Sequence, residues 1–194
     1  MPQIFKPYSS ILDFETGAIK SYKRKVQVRL SDLKEFFYVR EAVNRILSGG
    51  EDPVIYEYFE HSQPEVEGHI NFGVTTVYPG KVGWEYHLTR GHYHVKGSAA
   101  EVYVGLTGEG IMIMQTKDGD SAYLPIRLGI VVYVPPLWAH RTVNIGKDKL
   151  SFFFVYPSDA GHDYETIRQK GFAKIVIEDE GQPKVVNNPK FTKG

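Results

Sequence analysis

His92 and His94, two residues apart in Thr89-Arg90-Gly91-His92-Tyr93-His94, are the side chains in this chain best spaced to act on one point. On a strand, side chains two apart share a face, so both imidazoles can aim into the same interior. Glu101 follows in the alternating run Ala100-Glu101-Val102-Tyr103-Val104-Gly105-Leu106, whose odd members share a face, and its carboxylate can turn inward beside them. A third imidazole comes from His140 at the end of Pro135-Pro136-Leu137-Trp138-Ala139-His140. Three imidazoles and one carboxylate form the donor set of a divalent metal site, and they suit iron, zinc, nickel, manganese or cobalt. A lone histidine on an apolar strand is more often a hydrogen-bonded core or surface residue than a ligand. A His-x-His pair, a following Glu and a distant His, each in a strand-like run bounded by glycines, shift the balance to a metal. The chain has no cysteine, which excludes disulfides, thiolate zinc sites and a cysteine nucleophile.

The elements that must hold these residues begin at Val54. From there short runs rich in Val, Ile, Tyr, Phe and Thr alternate with Gly, Pro and Asp turns. Strands are predicted over Val54 to Phe59, Ile70 to Tyr78, Gly83 to Leu88, the two ligand segments, Gly110 to Gln115, Tyr123 to Ile126, Ile130 to Val134, Arg141 to Ile145 and Leu150 to Tyr156. Such spacing over about 100 residues indicates a sandwich or barrel and not a parallel α/β sheet. Before it, residues 1 to 25 read as an extended arm with a turn at Asp13-Phe14-Glu15-Thr16-Gly17, placed to wrap the core or a neighbour. Ser31 offers an N-cap to one amphipathic helix over Asp32 to Leu47, stopped by Gly49-Gly50. After Pro157 come a polar loop, a short helical turn over Glu165 to Lys170, a strand over Ala173 to Ile177 and a peripheral hairpin from Gly181.

Of the 194 residues 42% are hydrophobic, so the chain can bury about 70% of its unfolded surface in one core. A single domain is expected over 1–194, with an arm and helix over about 1–50, a barrel core over about 51–157 and an extension over about 158–194. Lys plus Arg and Asp plus Glu number 23 each, so no net charge draws the protein to nucleic acid or an anionic membrane, and a small-molecule partner is expected. No run approaches a membrane span or a secretory signal, and a cytoplasmic location is expected.

The motifs carry a resemblance. His92-x-His94, six residues, Glu101, six residues and Gly108 resemble the first cupin motif; Gly129, five residues, Pro135, four residues, His140, three residues and Asn144 resemble the second. The resemblance implies an all-β cupin, a double-stranded β-helix or jelly-roll barrel with a few peripheral helices. The chain is further similar to the archaeal-type cupin glucose-6-phosphate isomerases. That similarity runs from Asp13-Phe14-Glu15-Thr16-Gly17 through Tyr78-Pro79-Gly80-Lys81-Val82-Gly83, Gly91-His92-Tyr93-His94 and Trp138-Ala139-His140-Arg141-Thr142-Val143-Asn144 to Asp159-Ala160-Gly161-His162-Asp163-Tyr164. It implies one divalent metal per subunit on His92, His94, Glu101 and His140, usually ferrous iron, with Mn2+, Zn2+, Ni2+ or Co2+ tolerated. It also implies that Tyr56, Thr75, Thr89, Gly91, Tyr103, Tyr156, His162 and Tyr164 line a sugar phosphate, and that the protein is a homodimer.

The residues themselves support parts of this. Thr89 and Gly91 precede the ligand segment, where a hydroxyl and a closely approaching N–H can hold a phosphate, with Arg90 or Lys96 adding charge. Tyr103 shares the inward face of Glu101. Glu57, Glu60 and Glu67 read as ordinary solvated charges. Moving hydrogen between C2 and C1 by an enediol route needs a base, and Glu101 is the first candidate, with His162 or Tyr103 carrying protons if the metal holds Glu101 too tightly. A hydride shift with the metal as Lewis acid stands as the other route. Two rival functions share the ligand set: an iron oxygenase, and a sugar-binding cupin without turnover.

Overall fold

The computed structural model describes residues 4–191; the outermost three residues at each end of the expected arm and extension lie outside the described residues. Two antiparallel sheets face each other. The larger runs, edge to edge, Val131–Val134, Glu101–Thr107, Leu150–Pro157, Ile70–Val77, Val54–His61 and Arg24–Arg29. The smaller runs Ser121–Arg127, Glu109–Gln115 and Ala139–Asn144. A flanking sheet of Gln182–Asn187, Lys174–Asp179, Glu85–Tyr86 and Lys81–Val82 closes one side; the tail after Gly181 supplies one strand that pairs back on the expected last strand and does not form a hairpin of its own. This is the all-β cupin barrel. No described helix is long and apolar enough to cross a membrane.

Period-two alternation explains how one strand serves two layers. In Leu150–Pro157, Leu150, Phe152, Phe154 and Tyr156 join the main core, while Phe153 turns outward. There Phe153 meets Phe72, Phe59, Val74 and Leu106 in a second cluster, which Leu12 and Ile19 of the arm cover. The arm turns at Gly17, whose φ of +64° and 2.6 Å approach of a virtual Cβ to Ser151 Cβ leave room for no side chain. Residues 12–19 therefore form a small hairpin, Leu12–Asp13 against Ala18–Ile19, wrapped on the outer face of the larger sheet.

Four expectations are corrected. The helix over Asp32 to Leu47 is broken into a 3-10 turn, Ser31–Leu33, and an α-helix, Arg40–Ser48. Ser31 does not cap it, because its hydroxyl and N–H both bond to Asp52, at 2.8 and 2.9 Å. Phe36-Phe37-Tyr38-Val39 is a run of poor helix formers, and the buried Glu85 carboxylate takes the Tyr38 N–H at 2.7 Å. The predicted strand Gly83 to Leu88 is also reduced to Glu85–Tyr86, and the segment with His92 and His94 is no ladder strand. It is pinned by single bridges instead, Leu88 to Val143, His92 to His140 and Tyr93 to Asp163.

Candidate active site

His92 is placed by the backbone of His140. The two residues exchange N–H···O bonds of 3.3 and 3.1 Å, which sets their rings edge to face with centroids 4.4 Å apart. Gly91 makes this approach feasible, with φ at +72° and a virtual Cβ only 2.6 Å from Phe172 and 3.0 Å from the His140 carbonyl oxygen. His94 is oriented from behind, since the Ala99 carbonyl lies 3.2 Å from its Nδ1 and leaves Nε2 pointing to Glu101. Such a carbonyl contact fixes tautomer and ring direction for metal binding. Glu101 Oε2 then sits 3.0 Å from His140 Nε2, 3.2 Å from His94 Nε2 and 4.0 Å from His92 Nε2.

The four donor atoms all lie within 4.8 Å of one another. His92 Nε2 and His140 Nε2 are buried without any hydrogen-bond partner, although the latter is close to the carboxylate. Two orphaned ring nitrogens facing one carboxylate oxygen are costly unless something between them takes their lone pairs. A divalent cation does so, and the donor set fits one. Electrostatics agree. Burial, reinforced by the other imidazoles, holds the His92 pKa well below its ordinary value, so the ring keeps its lone pair. Burial pushes Glu101 up, but the His140 and His94 rings outweigh it and bring the carboxyl down to about 2. His94 feels the same opposition in reverse, with burial lowering its pKa and Glu101 raising it to a net increase.

A cavity of about 450 Å³ opens on this cluster. Tyr56, Thr75, Thr89, Gly91, Tyr103, Tyr156, His162 and Tyr164 all line it, together with His92, Glu101 and His140; His94 does not, standing behind the other rings. His162 is carried over His92, ring centroids 4.4 Å apart, and stacks on Tyr164 at 5.6 Å with a 6° interplanar angle. The loop bearing it is fastened by reciprocal Tyr93–Asp163 backbone bonds of 3.3 and 2.8 Å and by the Lys96–Asp159 ion pair at 2.7 Å. Lys96 is thus a fastening for the loop and is not a cavity residue. Arg90 does reach the cavity wall, its guanidinium 5.1 Å from the Tyr164 ring centre and its Nε buried without a partner, and Arg24 is a second cation there. Burial raises the pKa of Tyr103 well above the ordinary phenol, aided by Glu101 beside it, and brings Tyr56 up to about 12. Burial also lowers the pKa of His162.

Several wall residues were not anticipated, among them Arg24, Asp32, Tyr58 and Glu60. The reading of Glu57 and Glu60 as solvated is corrected: both are buried, Glu57 bonded to Tyr78 and Gln27 and Glu60 bonded to Tyr156, while Glu67 is exposed. The signal was present in the alternation itself, since Tyr56, Tyr58 and Glu60 are two apart on one strand.

A family model for glucose-6-phosphate isomerase matches residues 27–192. Among curated proteins, the chain is 50% identical over 186 residues to a glucose-6-phosphate isomerase of Thermococcus kodakarensis, covering 96% of this chain and 97% of the relative. It is 52% identical over 188 residues to that of Pyrococcus furiosus, covering 97% and 98%. Among solved structures, a Bacillus subtilis oxalate decarboxylase is similar with a TM-score of 0.45 and 23% identity, covering 55% of this chain and 27% of that one.

Proposed function

The chain belongs to the glucose-6-phosphate isomerase family, and from that premise we propose how its residues divide the work of interconverting glucose 6-phosphate and fructose 6-phosphate. The observation that carries the assignment is that three donors of the His92, His94, Glu101 and His140 cluster line one cavity together with the Thr89-Arg90-Gly91 turn. His92, His94, Glu101 and His140 hold one divalent ion, which we assign as Fe2+, with Mn2+, Zn2+, Ni2+ or Co2+ as substitutes the same donors accept. When bound, that ion supplies a Lewis acid for the oxygens at C1 and C2 of the sugar. Thr89, the Gly91 backbone and Arg90 bind the phosphate, where a dianion meets a hydroxyl, an N–H and a guanidinium. Tyr56, Thr75, Tyr156 and Tyr164 offer hydroxyls to the sugar and close the cavity against water.

In this reading Glu101 moves the proton between C2 and C1, and Tyr103 and His162 handle the protons of the neighbouring oxygens. A second reading is favoured by one observation, the His140 and His94 rings 3.0 and 3.2 Å from Glu101 Oε2, which hold its carboxyl below the usual range, weaken it as a base and suit a hydride shift with Glu101 as ligand only. Turnover in D2O separates the two. Deuterium from solvent in the product supports the enediol route, and complete retention of a C2 label removes Glu101 from the base role. Glu101→Gln is expected to keep much of the metal and lose turnover on the first reading.

The chain works as one cupin unit, with its arm and helix over about 1–50, barrel over about 51–157 and extension over about 158–194, paired as a homodimer. A charged sugar phosphate does not cross membranes unaided, which favours the cytoplasm as the place of work. The decisive assay is coupled conversion of fructose 6-phosphate to glucose 6-phosphate before and after EDTA, then with each ion restored. Loss with chelator and recovery with ferrous ion supports the assignment; turnover indifferent to chelator overturns the metal's role.

A further inference from the structure

Glu60 lies in the cavity wall on Val54–His61, only 4% exposed, a position that an apolar residue would fill at lower cost unless the carboxylate has work to do. Its Oε1 takes the Tyr156 hydroxyl proton at 2.6 Å and its Oε2 takes that of Ser62 at 2.8 Å. Arg24 stands 3.9 Å from Oε2 at the cavity rim, its own side chain more than half exposed. A phenol has one proton to donate and two lone pairs. With its proton committed to Glu60, Tyr156 meets the cavity only as an acceptor.

We propose that Glu60 is a specificity-determining residue of the reaction, which by fixing the Tyr156 proton reserves the Tyr156 position for a sugar hydroxyl and refuses it to a phosphate. A sugar hydroxyl donates to the phenol oxygen. A phosphate dianion brings acceptors only, and meets a lone pair backed by a carboxylate, an arrangement that repels it. The cavity has hydroxyls on several sides, and a small sugar phosphate could otherwise lie in it either way round. Glu60 thus acts through Tyr156 to select the orientation in which the phosphate goes to the Thr89-Arg90-Gly91 turn. The alternative role, packing alone, leaves no reason for a buried acceptor paired to a tyrosine that lies between a ligand histidine and the loop, with ring centroids 6.3 Å from His94 and 5.3 Å from His162.

This rests on the isomerase reading, so the wild-type protein is assayed first, and absence of turnover there would sink that reading and not this one. Glu60→Gln keeps the size of the side chain but lets an amide N–H face the phenol, which frees the Tyr156 proton to turn into the cavity. We expect kcat/KM for fructose 6-phosphate to fall about ten- to hundred-fold, the loss expected when a charge-assisted hydrogen bond is misdirected. Inhibition by inorganic phosphate is expected to stay the same or tighten, since the refused position becomes a donor. A collapse of the cavity would weaken both together, and that result overturns the proposal. In a Tyr156→Phe background the Glu60→Gln change should cost less than twofold, because Glu60 then has no phenol to direct; multiplicative losses overturn the proposal. Should Glu60→Gln fail to fold, Tyr156→Phe alone carries the test, with KM for the sugar phosphate raised and phosphate inhibition unchanged.

Discussion

Replacing Gly91 with alanine tests whether the metal donors are held by the close backbone approach described above. At φ +72° a side chain enters left-handed backbone, which costs about 1 kcal/mol. The new Cβ would also meet Phe172 Cε2 at 2.6 Å and both Arg141 Cβ and the His140 carbonyl oxygen at 3.0 Å. Phe172 is 1% exposed and Arg141 3%, so neither can move aside freely, and overpacking of this kind adds roughly 1–3 kcal/mol. Together the loss is about 3 kcal/mol, or roughly a 10 °C fall in Tm for a chain of this length. The function should suffer more than the fold. Relief of the clash pushes residues 89–92 away from His140, and the pair of backbone bonds that sets His92 is the first contact to lengthen. We therefore expect metal affinity, read by titration of the apoprotein, to fall at least tenfold, and kcat/KM to fall well below what the folded fraction accounts for. A Gly91→Ala protein with wild-type Tm and metal affinity would refute the reasoning, since it would mean that residues 89–92 have slack the distances deny.

Two other outcomes follow from separate parts of the molecule. Burial raises the Glu85 carboxyl from the ordinary 4.5 to about 7, against the opposing pull of Arg141. The unfolded chain releases this proton near 4.5 and the folded chain near 7, so the contribution is fully present below pH 4.5 and is lost as pH rises through 7, about 3 kcal/mol at most. Glu85→Gln, which can still accept the Tyr38 N–H, is expected to match wild type in Tm at pH 5 and exceed it at pH 8.5. Equal destabilisation at both values would mean that an ionised Glu85 is a net asset beside Arg141. Asp163 caps the helix Tyr164–Lys170, taking Thr166 N–H at 3.0 Å and the Thr166 hydroxyl at 2.6 Å, and its removal costs about 1 kcal/mol. Because His162 and Tyr164 flank it, Asp163→Ala should lower kcat several-fold at temperatures where the protein remains folded; unchanged kinetics would show that the Tyr93 backbone bonds alone position the loop.

The donors were legible in the sequence because a metal demands few residue types at close spacing, and His92, His94, Glu101 and His140 are brought together as expected. The barrel strands were legible for a similar reason, since period two runs through most of Glu101–Thr107 and Leu150–Pro157. What failed depended on partners distant in the chain. The break between Leu33 and Arg40, which the Phe36-Phe37-Tyr38-Val39 run favours locally, is fastened by Glu85, and the fate of the Ser31 hydroxyl is decided by Asp52; neither partner is visible to local propensity. Glu60 was misread because charge was taken as a sign of exposure, although its alternation with Tyr56 and Tyr58 already placed it on the inward face.

The spacing of His92 and His94 shows how a correct conclusion can stand on a different physical cause. A ladder strand would fix both rings by pleat alone, and any residue could then stand at 91. The structure has no such ladder there: His92 is held by the His140 backbone, His94 by the Ala99 carbonyl, and the turn before them by Arg141. Arg141 bonds the Arg90 carbonyl at 2.7 Å and the Phe36 carbonyl at 3.4 Å, and lies over the Phe172 ring at 4.7 Å. The strand carrying His140 therefore supplies one donor, aligns a second through its backbone, and through the next side chain anchors the Thr89-Arg90-Gly91 turn. Two of the four donors, His92 and His140, and the Thr89-Arg90-Gly91 turn are thereby referenced to a single strand, Ala139–Asn144, whose every residue is buried. That shared reference fixes the turn against His92 and His140 even though the segment from Leu88 to His94 has no ladder of its own.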